Sequence, residues 1–111
     1  MWALDQCITD IPRVRRGDVP LPQEEAIQRI ASVTKAFSDP IRLKMVYLLS
    51  KQSDLCTCEF EELLDLSQSK VSYHLKILLD AGVIDREIHG SWSHYSLRNP
   101  KILEQVHALS Q

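Results

Sequence analysis

At 111 residues the chain has room for one domain with a small hydrophobic core. A hydrophobic share of 44% beside 25% charged residues is an ordinary globular balance, and no apolar run reaches the length of a bilayer span. The net charge of −2 excludes a uniformly basic nucleic-acid clamp, so any nucleic-acid contact must come from a local cationic face.

Residues 1–20 read as a flexible arm carrying Cys7, because Pro12, Gly17 and Pro20 interrupt any helix. Residues 21–111 form the expected domain. A first helix starts near Pro22-Gln23-Glu24-Glu25 and puts Ile27, Ile30, Ala31, Thr34 and Phe37 on one face. Ser38-Asp39-Pro40 ends it and opens a second helix to about Leu49, with Ile41, Met45, Leu48 and Leu49 inward. After a polar loop at residues 51–54, a third helix follows the cysteine pair to about Asp65, burying Phe60, Leu63 and Leu64. Thr57 offers itself as its N-cap.

Ser67 is the expected N-cap of a fourth helix, whose Val71, Leu75, Leu78 and Leu79 form a core stripe and which Ala81-Gly82 ends. Val83–Ile88 and Trp92–Leu97 predict two strands around a turn at His89-Gly90. Asn99-Pro100 opens a short last helix with Ile102, Leu103, Val106 and Leu109 on its apolar side. The fold class is mainly α with a small β-hairpin. About five helices plus a two-stranded wing, in this order, make a winged helix-turn-helix.

Charge is unevenly spread. Residues 54–65 hold five acids and no base, whereas residues 66–101 hold five bases against three acids. With its apolar stripe buried, the fourth helix presents Gln68, Ser69, Ser72, Tyr73 and Lys76, short hydrogen-bonding groups suited to a major groove. A solvated polar face is the bland alternative. Three cysteines without repeated spacing exclude a four-ligand structural zinc finger and leave packing, metal binding or redox chemistry. Acid/base pairs and nucleophiles with partners are missing, which argues against an enzyme.

Leu55-Cys56-Thr57-Cys58-Glu59-Phe60 resembles the metal-binding box of the ArsR/SmtB metalloregulatory repressors. Ser69-Lys70-Val71-Ser72-Tyr73-His74-Leu75-Lys76-Ile77-Leu78 with Ala81-Gly82-Val83-Ile84 resembles that family's recognition helix, and Phe37-Ser38-Asp39-Pro40-Ile41-Arg42-Leu43 its helix junction. The resemblance spans roughly Ile27 to Val106. It implies a homodimer, formed through the first and last helices, that binds operator DNA in the cytoplasm with no membrane partner. It also implies that Gln68, Ser69, Ser72 and Tyr73 read bases or backbone, while Lys70, Lys76, Arg86 and the wing tip at His89 and Gly90 hold phosphates.

The thiols carry the sensing expectation. Residues two apart on a regular helix point about 200° apart, so Cys56 and Cys58 share one ion only if they straddle the helix start or distort it. A helix N-terminus favours thiolate, and the acids nearby oppose it. Some relatives in the thiolate-sensing branch complete such a site from an N-terminal extension, which points here to Cys7, 49 residues before Cys56 (56 − 7). Three thiolates suit As(III) or Sb(III), and next Cd(II) or Pb(II), better than zinc. The competing reading is a redox switch through a Cys7 disulfide to Cys56 or Cys58. The family's other site, on the last helix, finds only Glu104 and His107 here. His74, beside the core stripe, is expected to be a structural hydrogen-bonder.

Overall fold

A computed structural model describes residues 14–111. The order is α1 (Glu24–Ala36), α2 (Pro40–Lys51), β1 (Leu55–Cys56), α3 (Thr57–Leu64), α4 (Gln68–Asp80), β2 (Ile84–His89), β3 (Trp92–Leu97) and α5 (Ile102–Ala108). Five helices and the hairpin match the expected fold class. The sheet has one strand more than expected, in the antiparallel order β1-β3-β2. Two residues are too few to show period-two alternation, so β1 leaves no mark in the sequence.

Local chemistry accounts for the helix boundaries. Asp39 caps α2, its Oδ1 accepting from Ile41 N at 2.7 Å and Arg42 N at 3.4 Å, with Pro40 in the first turn. Burial acts against the Asp39 carboxylate, yet those two amides hold its pKa below the usual range. Ser67 Oγ accepts from Lys70 N at 3.3 Å to start α4. At its end Val83 N bonds to Leu78 O and Gly82 N to Leu79 O, with Gly82 at φ +77°, which closes the helix and turns the chain into β2.

The core gathers Met45, Val46 and Leu49 of α2, Phe60 of α3, Val71, Leu75 and Leu78 of α4, and Ile84, Tyr95 and Leu103 from the sheet and α5. Phe60 and Tyr95 meet edge to face at 6.4 Å, fastening α3 to the sheet.

Several expectations are corrected. In α1, Ile27, Ile30, Ala31 and Thr34 are exposed, and only its C-terminal end packs, through Val33, Ala36 and Phe37. Periodicity identified an apolar stripe but not the neighbour to cover it. Leu63 is exposed, because the inner face of the two-turn α3 is filled by Phe60 and Leu64, four residues apart. Leu109 is exposed beyond the end of α5. The hairpin turn lies at Gly90-Ser91, since His89 pairs with Trp92, and Gly90 takes the φ of +64° such a tight turn requires.

Candidate metal centre and DNA-binding face

Cys56 is at once the last residue of β1 and the N-cap of α3. The expected cap, Thr57, is instead the first helical residue. Glu59 explains the difference: its Oε1 accepts from Cys56 N at 3.0 Å, while the Cys56 sulfur takes the Glu59 amide in return. This is a capping box with a thiol where serine usually stands. The Cys-x-x-Glu spacing is its signal in the sequence. Burial raises the Cys56 pKa first; the Glu59 amide lowers it, and the adjoining Glu59 carboxylate raises it again. In this conformation burial and the acid together outweigh the amides, and the thiol is held above its ordinary value. The Cys56 hydrogen bonds hold Glu59 itself below the usual carboxylate range.

Cys58 stands exposed in the first turn of α3. It lines a cleft with Thr57, Glu61, Gln68 of α4, and Ser91, Trp92 and Ser93 of the wing. The second thiol therefore opens onto the space between the start of α4 and the wing tip. Among the described residues no three Cys, His, Asp or Glu side chains converge as a ready metal site. Cys56 at the N-cap and Cys58 in the first turn straddle the start of α3, the placement that lets two thiols share one soft ion, and such an ion would need a further donor. Cys7 lies outside the described residues.

A second pairing beside Cys56 has no signal in the sequence. β1 aligns Cys56 with His94 of β3, and His94 Nδ1 bonds to Asp54 Oδ2 at 2.6 Å across 40 positions. The His94 ring also meets His89 edge-on at 4.9 Å.

All nine residues considered for DNA contact lie at the surface. Gln68, Ser69, Lys70, Ser72, Tyr73 and Lys76 share the outer side of α4, and Arg86, His89 and Gly90 lie on the hairpin. Ser72, Lys76 and Arg86 wall one groove with Leu79, Asp80 and Tyr95. Lys76 is held by Asp80 at 3.1 Å and His89 lies 3.7 Å from Glu87, whereas among the described residues Lys70 makes no ion pair. His74 is buried and bonded to Arg42, as expected of a structural histidine. On α5, His107 bonds to the Tyr47 hydroxyl.

Residues 39–86 match the family of bacterial regulatory proteins described as the arsR family. Over 80 residues the chain is 39% identical to the arsenical resistance operon repressor of Bacillus subtilis strain 168, spanning 72% of this chain and 76% of that protein. The chain belongs to the ArsR family. A further relative is the cadmium resistance regulatory protein CadC homolog of Staphylococcus aureus, 30% identical over 94 residues, 85% of this chain and 77% of that one. The solved structure of the transcriptional repressor PagR of Bacillus anthracis superposes with a TM-score of 0.67 at 31% identity, covering 78% of this chain and 99% of that one. As an ArsR-family member the protein is a DNA-binding transcriptional repressor with a winged helix-turn-helix fold, and it is not an enzyme. No helix among the described residues is long and apolar enough to cross a membrane.

Proposed function

We propose that this ArsR-family repressor is induced by a soft metal or metalloid ion, As(III) or Sb(III) first and Cd(II) or Pb(II) next, held by Cys56, Cys58 and Cys7. The observation that carries the reading is the position of the cysteine pair. Cys56 closes β1 and caps α3, while Cys58 opens onto the cleft shared with Gln68 and Ser91. A soft ion supplies bonds strong enough to hold thiolates in one arrangement. Binding both thiols to one centre takes the Cys56 sulfur away from the Glu59 amide and so loosens the first turn of α3, the helix that packs against α4. Two relatives named for arsenical and cadmium resistance support the choice of ions.

The apo form binds its operator as a homodimer. The dimer joins α1 and α5, where Ile27 and Ile30 lie exposed beside an apolar groove of about 570 Å³ walled by Val33, Phe37, Ile102 and Val106. On each protomer Gln68, Ser69, Ser72 and Tyr73 face the major groove, while Lys70, Lys76, Arg86, His89 and Gly90 approach phosphates. An ion that prefers the free form weakens operator binding by the same factor by which DNA weakens the ion's binding.

Anaerobic titration of the reduced protein with arsenite, Cd(II), Pb(II) and Zn(II), followed by ultraviolet absorption, tests the reading. Thiolate charge-transfer bands are expected, weakened by one sulfur's share in Cys7→Ser, with release from DNA at saturation. No band with any ion would overturn the reading and favour the alternative, a redox switch through a Cys7 disulfide.

A further inference from the structure

We propose that His94 is the positioning residue through which a change at the cysteine pair reaches the wing. The inference rests on the thiolate-sensing reading above and names the path of its output.

Two strands of geometry converge on this side chain. Cys56 and His94 are partners in the β1–β3 pairing, and on an antiparallel pair directly opposed side chains stand about 5 Å apart on one face. The same row continues to Glu87 of β2, so the sheet sets Cys56, His94 and Glu87 side by side. From the other direction Asp54, two residues before Cys56, holds His94 Nδ1 at 2.6 Å. The cysteine end of the chain is thus tied to His94 twice, once through backbone and once through a side chain.

On its far side His94 faces the wing tip. Its ring packs edge-on against His89, the last residue before the Gly90-Ser91 turn. Two positions along β3 lies Trp92, which lines the Cys58 cleft. A rotation or withdrawal of His94 therefore has consequences at both walls of the wing.

β1 supplies the two-state element. It is two residues long and ends on Cys56, so a thiol that leaves the Glu59 amide for an ion pulls on the residue that holds the strand to β3. In the proposed loaded state that pull weakens the short pairing and shifts Asp54 with it, loosening both tethers on His94. A solvated His–Asp contact adds little to stability, and both side chains here are partly exposed, at 31% and 49%. The contact therefore counts through where it holds the ring, and its removal is expected to alter communication more than folding.

The full-length protein tests this with a DNA fragment from upstream of its own gene, by fluorescence anisotropy with and without saturating arsenite or Cd(II), beside ultraviolet absorption and denaturation. Wild type is expected to lose affinity about tenfold or more on loading. His94→Ala should keep the thiolate bands, its denaturation midpoint and an ion-free DNA affinity within about twofold, yet lose most of that release. His94→Asn, whose amide can donate to Asp54, should restore it. Release from His94→Ala by the wild-type factor would overturn the inference and leave the sensing reading intact. So would an ion-free affinity that collapses in the alanine variant, which would mark His94 as structural. Thiolate bands without release in wild type would overturn both.

Discussion

The Arg42 guanidinium donates from Nη1 to His74 Nδ1 at 3.0 Å, across 32 positions of the chain. Because arginine only donates, His74 accepts at Nδ1 and carries its proton on Nε2. The Arg42 Nε donates to the Ala36 carbonyl at 2.7 Å, and both side chains are buried. One residue thereby joins the end of α1, the first turn of α2 and the middle of α4.

Replacing Arg42 with Met keeps the apolar stem but leaves the Ala36 carbonyl and His74 Nδ1 without their donor. A loss of about 2 kcal/mol is expected for leaving buried polar groups unpaired, measured by urea denaturation. A change within about 0.5 kcal/mol would show that the pair is dispensable.

His74 also sets a pH dependence. Burial holds its pKa below the ordinary 6.5; Asp39 opposes this, and Arg42 and Lys70 add to it. Protonation then favours the unfolded chain. Its contribution is fully kept above pH 6.5 and is lost as pH falls from there through the lower folded value. The denaturation midpoint should fall across that window, and His74→Gln should flatten the fall. An unchanged slope in the variant would assign the acid sensitivity to other groups.

On the DNA face Lys70→Ala is expected to weaken all sequences about equally and to reduce the salt slope by about one. Ser72→Ala should instead change which bases are preferred. Asp80→Asn releases Lys76 from its 3.1 Å pair and should tighten binding about twofold to threefold at low salt. Competition binding on operator and scrambled duplexes separates the three. Equal losses for Lys70→Ala and Ser72→Ala on both duplexes would remove the reading role from α4.

Gly82→Ala places a Cβ where φ is +77° and where Arg98 Nη1 lies 2.9 Å away. Arg98 can swing aside only by leaving Asp85, which it holds through Nε at 3.0 Å and Nη2 at 2.8 Å. The backbone strain should cost about 1–2 kcal/mol, read from thermal or urea unfolding. No measurable loss would mean that the end of α4 relaxes into another turn.

Local signals in the chain were sufficient for the helices and for the outward side of α4. Asp39-Pro40, Ser67 and Ala81-Gly82 fix boundaries through contacts made within a few residues, and the 3.6-residue spacing of Val71, Leu75 and Leu78 decides which side of α4 faces out. The metal-sensing expectation came from the family resemblance, whereas the cysteine pair drew attention through its spacing. Its setting depended on contacts between distant segments. Whether α1's stripe was covered, whether Leu63 or Leu64 faced in, and whether Cys56 belonged to a strand depended on neighbours that no local pattern names. Asp54 and His94 lie 40 positions apart, and Arg42 and His74 lie 32 apart; only the folded chain brings each pair within hydrogen-bonding distance. Period and capping act over one or two helical turns, so they identify elements, whereas the partners of a buried or cross-strand side chain follow from how those elements pack.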